Sequence, residues 1–147
     1  MAPLIVLVVS ALLFGLAGRT GVAAFRDLGF VLRAALGVMF LFTASAHWGK
    51  RRPDLIRMVP PALPRPDRLV TITGVLEIFG AIGLLVPITA RAASICLVLL
   101  LAALFPANIH AARENLTIAG RRVPSLPVRA AIQLVFVVTL IAAAWLK

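Results

Sequence analysis

Apolar runs with almost no charge alternate along this chain with short cationic connections. The first run, Ala2 to Ala17, carries no charge. The second, Leu28 to Trp48, is broken only by Arg33 near its start and His47 near its end. The third lies between Arg68 and Arg91 and holds one charge, Glu77. The fourth, between Arg91 and Arg113, has Asn108 and His110 near its end, and the fifth, between Arg129 and Lys147, has Gln133 as its one strongly polar residue. Each run approaches the ~20 residues an α-helix needs to cross a bilayer core. Continuous rather than alternating apolarity excludes β-barrel spans. The pattern predicts an all-α integral membrane protein with five transmembrane helices. The first run opens on Met-Ala-Pro without the basic residues of a secretory signal, so residues 2–17 are expected to stay as a helix.

Composition agrees. Of 147 residues, 62% are hydrophobic and 14% charged, with a mean hydropathy of +1.07. A soluble domain is roughly 45–50% apolar with glycine included, and one this small exposes too much surface to hide more. The net charge of +10 takes its meaning from where it sits. Lys50, Arg51, Arg52, Arg57, Arg65 and Arg68 follow the second run, and Arg113, Arg121, Arg122 and Arg129 follow the fourth. Five spans put these ten cations on one side, against Arg19, Arg26, Arg33, Arg91 and Lys147 on the other. Lys/Arg-rich short loops stay cytoplasmic, so the N-terminus is expected inside and the C-terminus outside. Basic residues confined to loops between apolar spans build no nucleic-acid recognition fold.

The connections carry their own signals. Val86 to Arg91, with Pro87, reads as a tight turn between antiparallel spans three and four. Pro53 suits a first helical position, after which Leu55, Ile56, Met58 and Val59 form one apolar face of a short interfacial helix. The proline-rich run Pro60 to Pro66 predicts a stiff, extended path, read either as a connector or as a lid over the helix ends. Cys96, the single cysteine, reads as a small buried hydrophobe without a redox partner.

The polar residues inside the spans are the candidates for chemistry, because a charge there costs at least ~2.5 kcal/mol by insertion scales unless it finds a partner or a cavity. Glu77 lies eight residues after Leu69, about 12 Å along a helix. Thr73, Gly74, Gly80 and Ala81 share its small, polar face, the kind along which membrane helices approach closely. His47, Asn108 and His110 end their spans on the same side, so His47, Glu77, Asn108 and His110 form a candidate intramembrane polar cluster. Pro106 frees the carbonyl of Ala102 and is expected to bend the fourth span and turn Asn108 inward. Ala103 and Ala107 make a small-xxx-small pair suited to close packing. Arg33, about 21 Å from His47 along the axis, reads as snorkelling to the opposite headgroups. Two readings of the cluster stand side by side. One is a hydrogen-bonded clasp fixing helix register; the other is a site for a quinone headgroup or a proton path through Glu77 and His47. Two His and one Glu from separate helices have no diagnostic metal-ligand spacing, and no metal is expected.

Gly74-Val75-Leu76-Glu77-Ile78-Phe79-Gly80-Ala81-Ile82-Gly83-Leu84-Leu85 resembles the signature helix of the DoxX-like membrane proteins. Ser45-Ala46-His47-Trp48 is similar to the end of that family's first core helix. Met58-Val59-Pro60-Pro61 and Phe105-Pro106-Ala107-Asn108-Ile109-His110 resemble one bacterial branch, although Ala44 stands where many members carry glycine. The resemblance implies a DoxX-like four-helix transmembrane bundle over residues 28–147, with residues 1–27 as an extra N-terminal helix and short loop. It also implies a multi-pass protein of the bacterial inner membrane, an accessory subunit of a redox or respiratory complex with a quinone contact and no independent catalysis. His47, Glu77 and Asn108 are the positions it marks. The rival functions are an assembly or chaperone-like membrane protein without a redox role, and a small transporter or proton-conducting bundle. The expected partners are the lipid bilayer and another membrane protein or redox complex; the oligomeric state is left open.

Overall fold

A computed structural model describes residues 1–146. Lys147, one of the five cations assigned to the less basic side, lies outside the described residues. Six α-helices follow one another: α1 (Ala2–Arg19), α2 (Leu28–Ala44), α3 (Arg52–Met58), α4 (Pro66–Leu85), α5 (Ala90–Arg113) and α6 (Leu126–Trp145). All but α3 are long and apolar enough to cross a membrane. The all-α architecture fits a multi-pass membrane protein.

Helix boundaries follow local chemistry. Pro stands in the first turn of α1, α3, α4 and α6, where its missing N–H and fixed φ are harmless. Asp27 caps α2, its carboxylate accepting from the amides of Gly29 (2.9 Å) and Phe30 (3.0 Å). The same carboxylate pairs with Arg33 at 3.3 Å. Arg33 is therefore bound to the protein's own Asp27 and does not simply reach for headgroups.

Helix α2 is the centre of the bundle. It packs against α1, α4 and α6, while α5 bridges α4 and α6. Leu36, Met39 and Phe40 of α2 are buried with Leu84 of α4, Leu97 of α5 and Leu140 of α6. Outward residues are equally apolar: Leu12, Phe79, Leu99 and Leu134 are all more than 60% exposed. Burying such side chains fully is worth roughly 1.5–3 kcal/mol each, so the outer surface suits lipid rather than water.

Glycines set how closely the helices approach. A Cβ on Gly80 would lie 2.4 Å from Leu97 Cδ2, and one on Gly83 would lie 2.9 Å from Ala93 Cβ. These two positions belong to the α4–α5 contact. Gly74 instead meets α2 and its continuation, so the small residues around Glu77 divide between two neighbours instead of forming one stripe.

Two connections differ from expectation. Residues 60–65 turn instead of running extended: Leu63 N–H bonds to Pro60 O at 3.0 Å, and Arg65 has φ 52°. Pro61 takes the second position of this turn, where its fixed φ is favoured, so the proline run turns the chain instead of extending it. The segment after α5 contains a small hairpin, β1 (Thr117–Ile118) and β2 (Arg121–Arg122), paired antiparallel. Its turn residues Ala119 (φ 51°) and Gly120 (φ 76°) both have positive φ, the backbone a two-residue hairpin loop requires. Ala119 N–H donates to Asp54 Oδ2 at 2.9 Å. This bond joins the two cation-rich segments at one end of the bundle.

Candidate functional site

The α2 helix tightens after Ala44 into a 3₁₀ turn, Ser45–His47, which swings the His47 ring towards α4. Gly74 makes this approach workable, since a Cβ there would stand 2.6 Å from His47 Cγ and 2.9 Å from Trp48 Cη2. His47 Nδ1 lies 2.6 Å from the carbonyl of Val70. Its Nε2 faces Glu77 Oε1 at 3.6 Å, and Thr43 Oγ1 lies 2.7 Å from Glu77 Oε2. Thr43 and His47 are four residues apart and so share a face of α2. Both members of the pair are buried, with side-chain exposures of 9% for His47 and 8% for Glu77.

A carbonyl can only accept, so Nδ1 carries a proton. A second proton shared by the pair would keep the cluster neutral, as a membrane interior favours, and the contacts offer it two places. With that proton on Nε2, imidazolium meets carboxylate and Thr43 donates to Oε2. With it on Oε2, Glu77 donates to Thr43, whose hydroxyl then donates to Phe40 O at 2.9 Å. Both arrangements leave the site neutral.

Arg52 closes the loop end of the pair without touching Glu77. It donates to His47 O (2.7 Å), Thr71 Oγ1 (2.9 Å) and Asp67 O (3.0 Å). It thereby holds the 3₁₀ turn against the start of α4.

Asn108 and His110 do not join this pair. Asn108 faces α6, where Arg129 donates to its Oδ1 and its own Nδ2 donates to Gln133 Oε1 at 3.1 Å. Gln133 in turn donates to Leu101 O at 3.0 Å. The helix continues through Pro106. Its broken ladder lies beside this polar patch, and Gln133 bonds the residue next to the freed carbonyl of Ala102. His110 is half-buried on α5, and among the described residues no three His, Cys, Asp or Glu side chains come together as a metal-holding group. Thr73 bonds within its own helix, to Leu69 O and Val70 O. Ala81 is buried against α2, where its carbonyl meets Gly37. Ala103 is exposed and Ala107 half-buried, so the pair forms no buried face.

Four residues central to these contacts were not apparent from the sequence: Thr43, Arg52, Arg129 and Gln133. The i, i+4 spacings of Thr43–His47 and Arg129–Gln133 were the available signal. The charge pattern makes Arg129 the boundary of the last span, whereas it lies inside α6, within its first turn.

At the loop end of the molecule, the amide of Ala119 and then the Arg57 guanidinium hold the Asp54 carboxyl below its ordinary range.

Residues 36–147 match the family described as a domain of unknown function, DUF8561. The chain belongs to that family. No curated protein and no solved structure matches it. The family match corrects the DoxX assignment: the glycine-rich helix around Glu77 and the Ala46-His47-Trp48 segment belong to DUF8561. Short runs of glycine and aliphatic residues recur wherever membrane helices pack closely, which is why they misled. The redox-complex association derived from that resemblance loses its support with it.

Proposed function

We propose that the protein is a non-catalytic, multi-pass component of a bacterial inner membrane that acts by associating with another membrane protein. The observation that carries this reading is the mutual pairing of the polar side chains at the α2–α4 and α5–α6 contacts, with the Ser94 hydroxyl and Arg129 Nε left unpartnered among the described residues. His47 and Glu77 are matched to each other, to Thr43 and to Val70 O, and Asn108 and Gln133 are matched across α5 and α6. Such a pair holds α2 on α4 as a clasp and offers no free group to a substrate. A quinone headgroup would have to displace one of these partners, and nothing in the geometry favours that. The end bearing the ten cations of the two basic segments is assigned to the cytoplasm on the positive-inside bias, which puts the N-terminus inside.

Isolation of the full chain in mild detergent is expected to bring down a stoichiometric membrane-protein partner, identified by mass spectrometry. Recovery of the chain alone overturns the reading.

A proton-conducting role is the second reading, favoured by the one proton that His47 and Glu77 can hold at either of two positions. Dye-monitored proton flux in liposomes that disappears in Glu77→Gln supports it. Absence of flux in the native chain removes it.

A further inference from the structure

At the end of the bundle opposite Asp54 and Ala119, an open groove of about 620 Å³ runs over α2 between α1 and α6. Leu7, Ala11 and Gly15 form one wall, Val31 the floor, and Val135 and Thr139 the other wall. The Thr139 hydroxyl is turned back to its own helix, donating to Val135 O at 2.7 Å, which leaves that wall apolar. Gly15 gives the groove its depth, since a Cβ there would meet nothing within 4 Å. Gly18 has the opposite role: a Cβ on it would lie 2.1 Å from Phe25 O, so its absence lets the loop after α1 fold tightly back. That fold brings Arg26 beside Arg19 at the groove's mouth.

The mouth is cationic and, among the described residues, uncompensated. Arg19 and Arg26 are exposed and make no hydrogen bond or ion pair among the described residues. The nearby acid, Asp27, is already committed to capping α2 and to Arg33. From Arg19 back to Leu7 is twelve residues, about 18 Å along the helix. This is close to one leaflet of a ~30 Å hydrocarbon core.

We propose that this groove is a binding site for one anionic glycerophospholipid of the leaflet at the Arg19 end. Its acyl chain lies along Gly15, Ala11 and Leu7, and its phosphate sits between Arg19 and Arg26. Charge decides for a lipid over a second copy of the chain lying in the same membrane orientation, because the exposed acids Asp67 and Glu114 stand at the opposite end of the bundle, at the start of α4 and the end of α5. A cation near a membrane surface contributes about a five-fold preference for anionic lipid, so two give roughly twenty-five-fold.

Native mass spectrometry of the full chain, with phosphatidylglycerol or phosphatidylethanolamine added in equal amounts, tests the site. The native protein is expected to retain phosphatidylglycerol preferentially. Joint substitution Arg19→Gln and Arg26→Gln should remove most of that preference, and Arg121→Gln with Arg122→Gln, at the other end, should leave it intact. Gly15→Leu, at a position where an added Cβ meets nothing within 4 Å, puts apolar bulk into the groove and should reduce retention of both lipids. Equal retention of the two lipids by the native protein overturns the proposal. So does a preference that survives the Arg19/Arg26 change, or one lost equally in the Arg121/Arg122 control. Recovery as a dimer that Gly15→Leu disrupts gives the groove to a second copy and also overturns it.

Discussion

Between α2 and α4, His47 and Glu77 are almost sealed from their surroundings, and a glycine on the opposing helix brings the backbones together around them. Between α5 and α6, Arg129, Asn108 and Gln133 are only half-buried and no glycine backs them. The first contact is a compact neutral pair in which both charges, if formed, cancel. The second carries a fixed positive charge, and the Arg129 Nε is buried without a hydrogen-bond partner. Polar groups deep in a span must be both paired and neutral, whereas those in a first helical turn can keep a net charge because headgroups and water are near.

Removing one partner should separate the two contacts most clearly. His47→Ala leaves Glu77 buried without its base and opens the bond to Val70 O. A loss of about 3–5 kcal/mol is expected, the scale for breaking a buried pair. Unfolding in detergent, followed by helical circular dichroism, measures it, and a double-mutant cycle with Glu77→Ala should return a coupling larger than that of Arg129 with Asn108. Equal couplings would erase the distinction drawn above.

Gly74→Ala keeps every polar group and attacks only the close approach. Overpacking at this position should cost about 1–3 kcal/mol, while Gly15→Ala, whose Cβ meets nothing, should be near neutral. The same unfolding assay reads both.

Asn108→Leu deletes two interhelical hydrogen bonds of the α5–α6 patch. Membrane bonds of this kind average about 0.6 kcal/mol, so a loss of roughly 1 kcal/mol is expected, well below the His47→Ala effect.

The smallest effect lies outside the spans. Asp54 is held below its ordinary carboxylate range by the Ala119 amide and Arg57. A depressed folded-state value means this tie is present above the unfolded value of about 3.8 and is lost as pH falls through the lower folded one. The protection factor of the Ala119 amide, taken against an unfolded-chain reference at the same pH, should therefore persist at neutral pH and fall only below about pH 3.8. The α2–α4 contact should show no matching change in solvent protection, being shielded from bulk water.

Much of the fold was legible because a membrane imposes local rules. Glu77 stood out as the one charge in its span, and its burial follows from the same penalty. Arg129 shows the converse: a cation at the end of an apolar run is equally compatible with a loop and with a first helical turn. The hairpin at Thr117–Arg122 gave almost no signal, since Ala119-Gly120 lacks the Asn or Asp that marks such turns most strongly. The resemblance to DoxX-like proteins rested on small and aliphatic residues that any close-packed membrane helix uses.

By itself, the sequence determined the five apolar spans, the shared side of the two cation-rich segments and the few polar positions that need partners, because each depends on a window of neighbours meeting lipid or water. Tertiary structure alone decided that His47 meets Glu77, that Asn108 turns to Arg129 and Gln133, and that Arg19 and Arg26 flank one groove. Those pairings join segments far apart in the chain, and between helices in lipid they are selected by shape and hydrogen bonding, which no local period encodes.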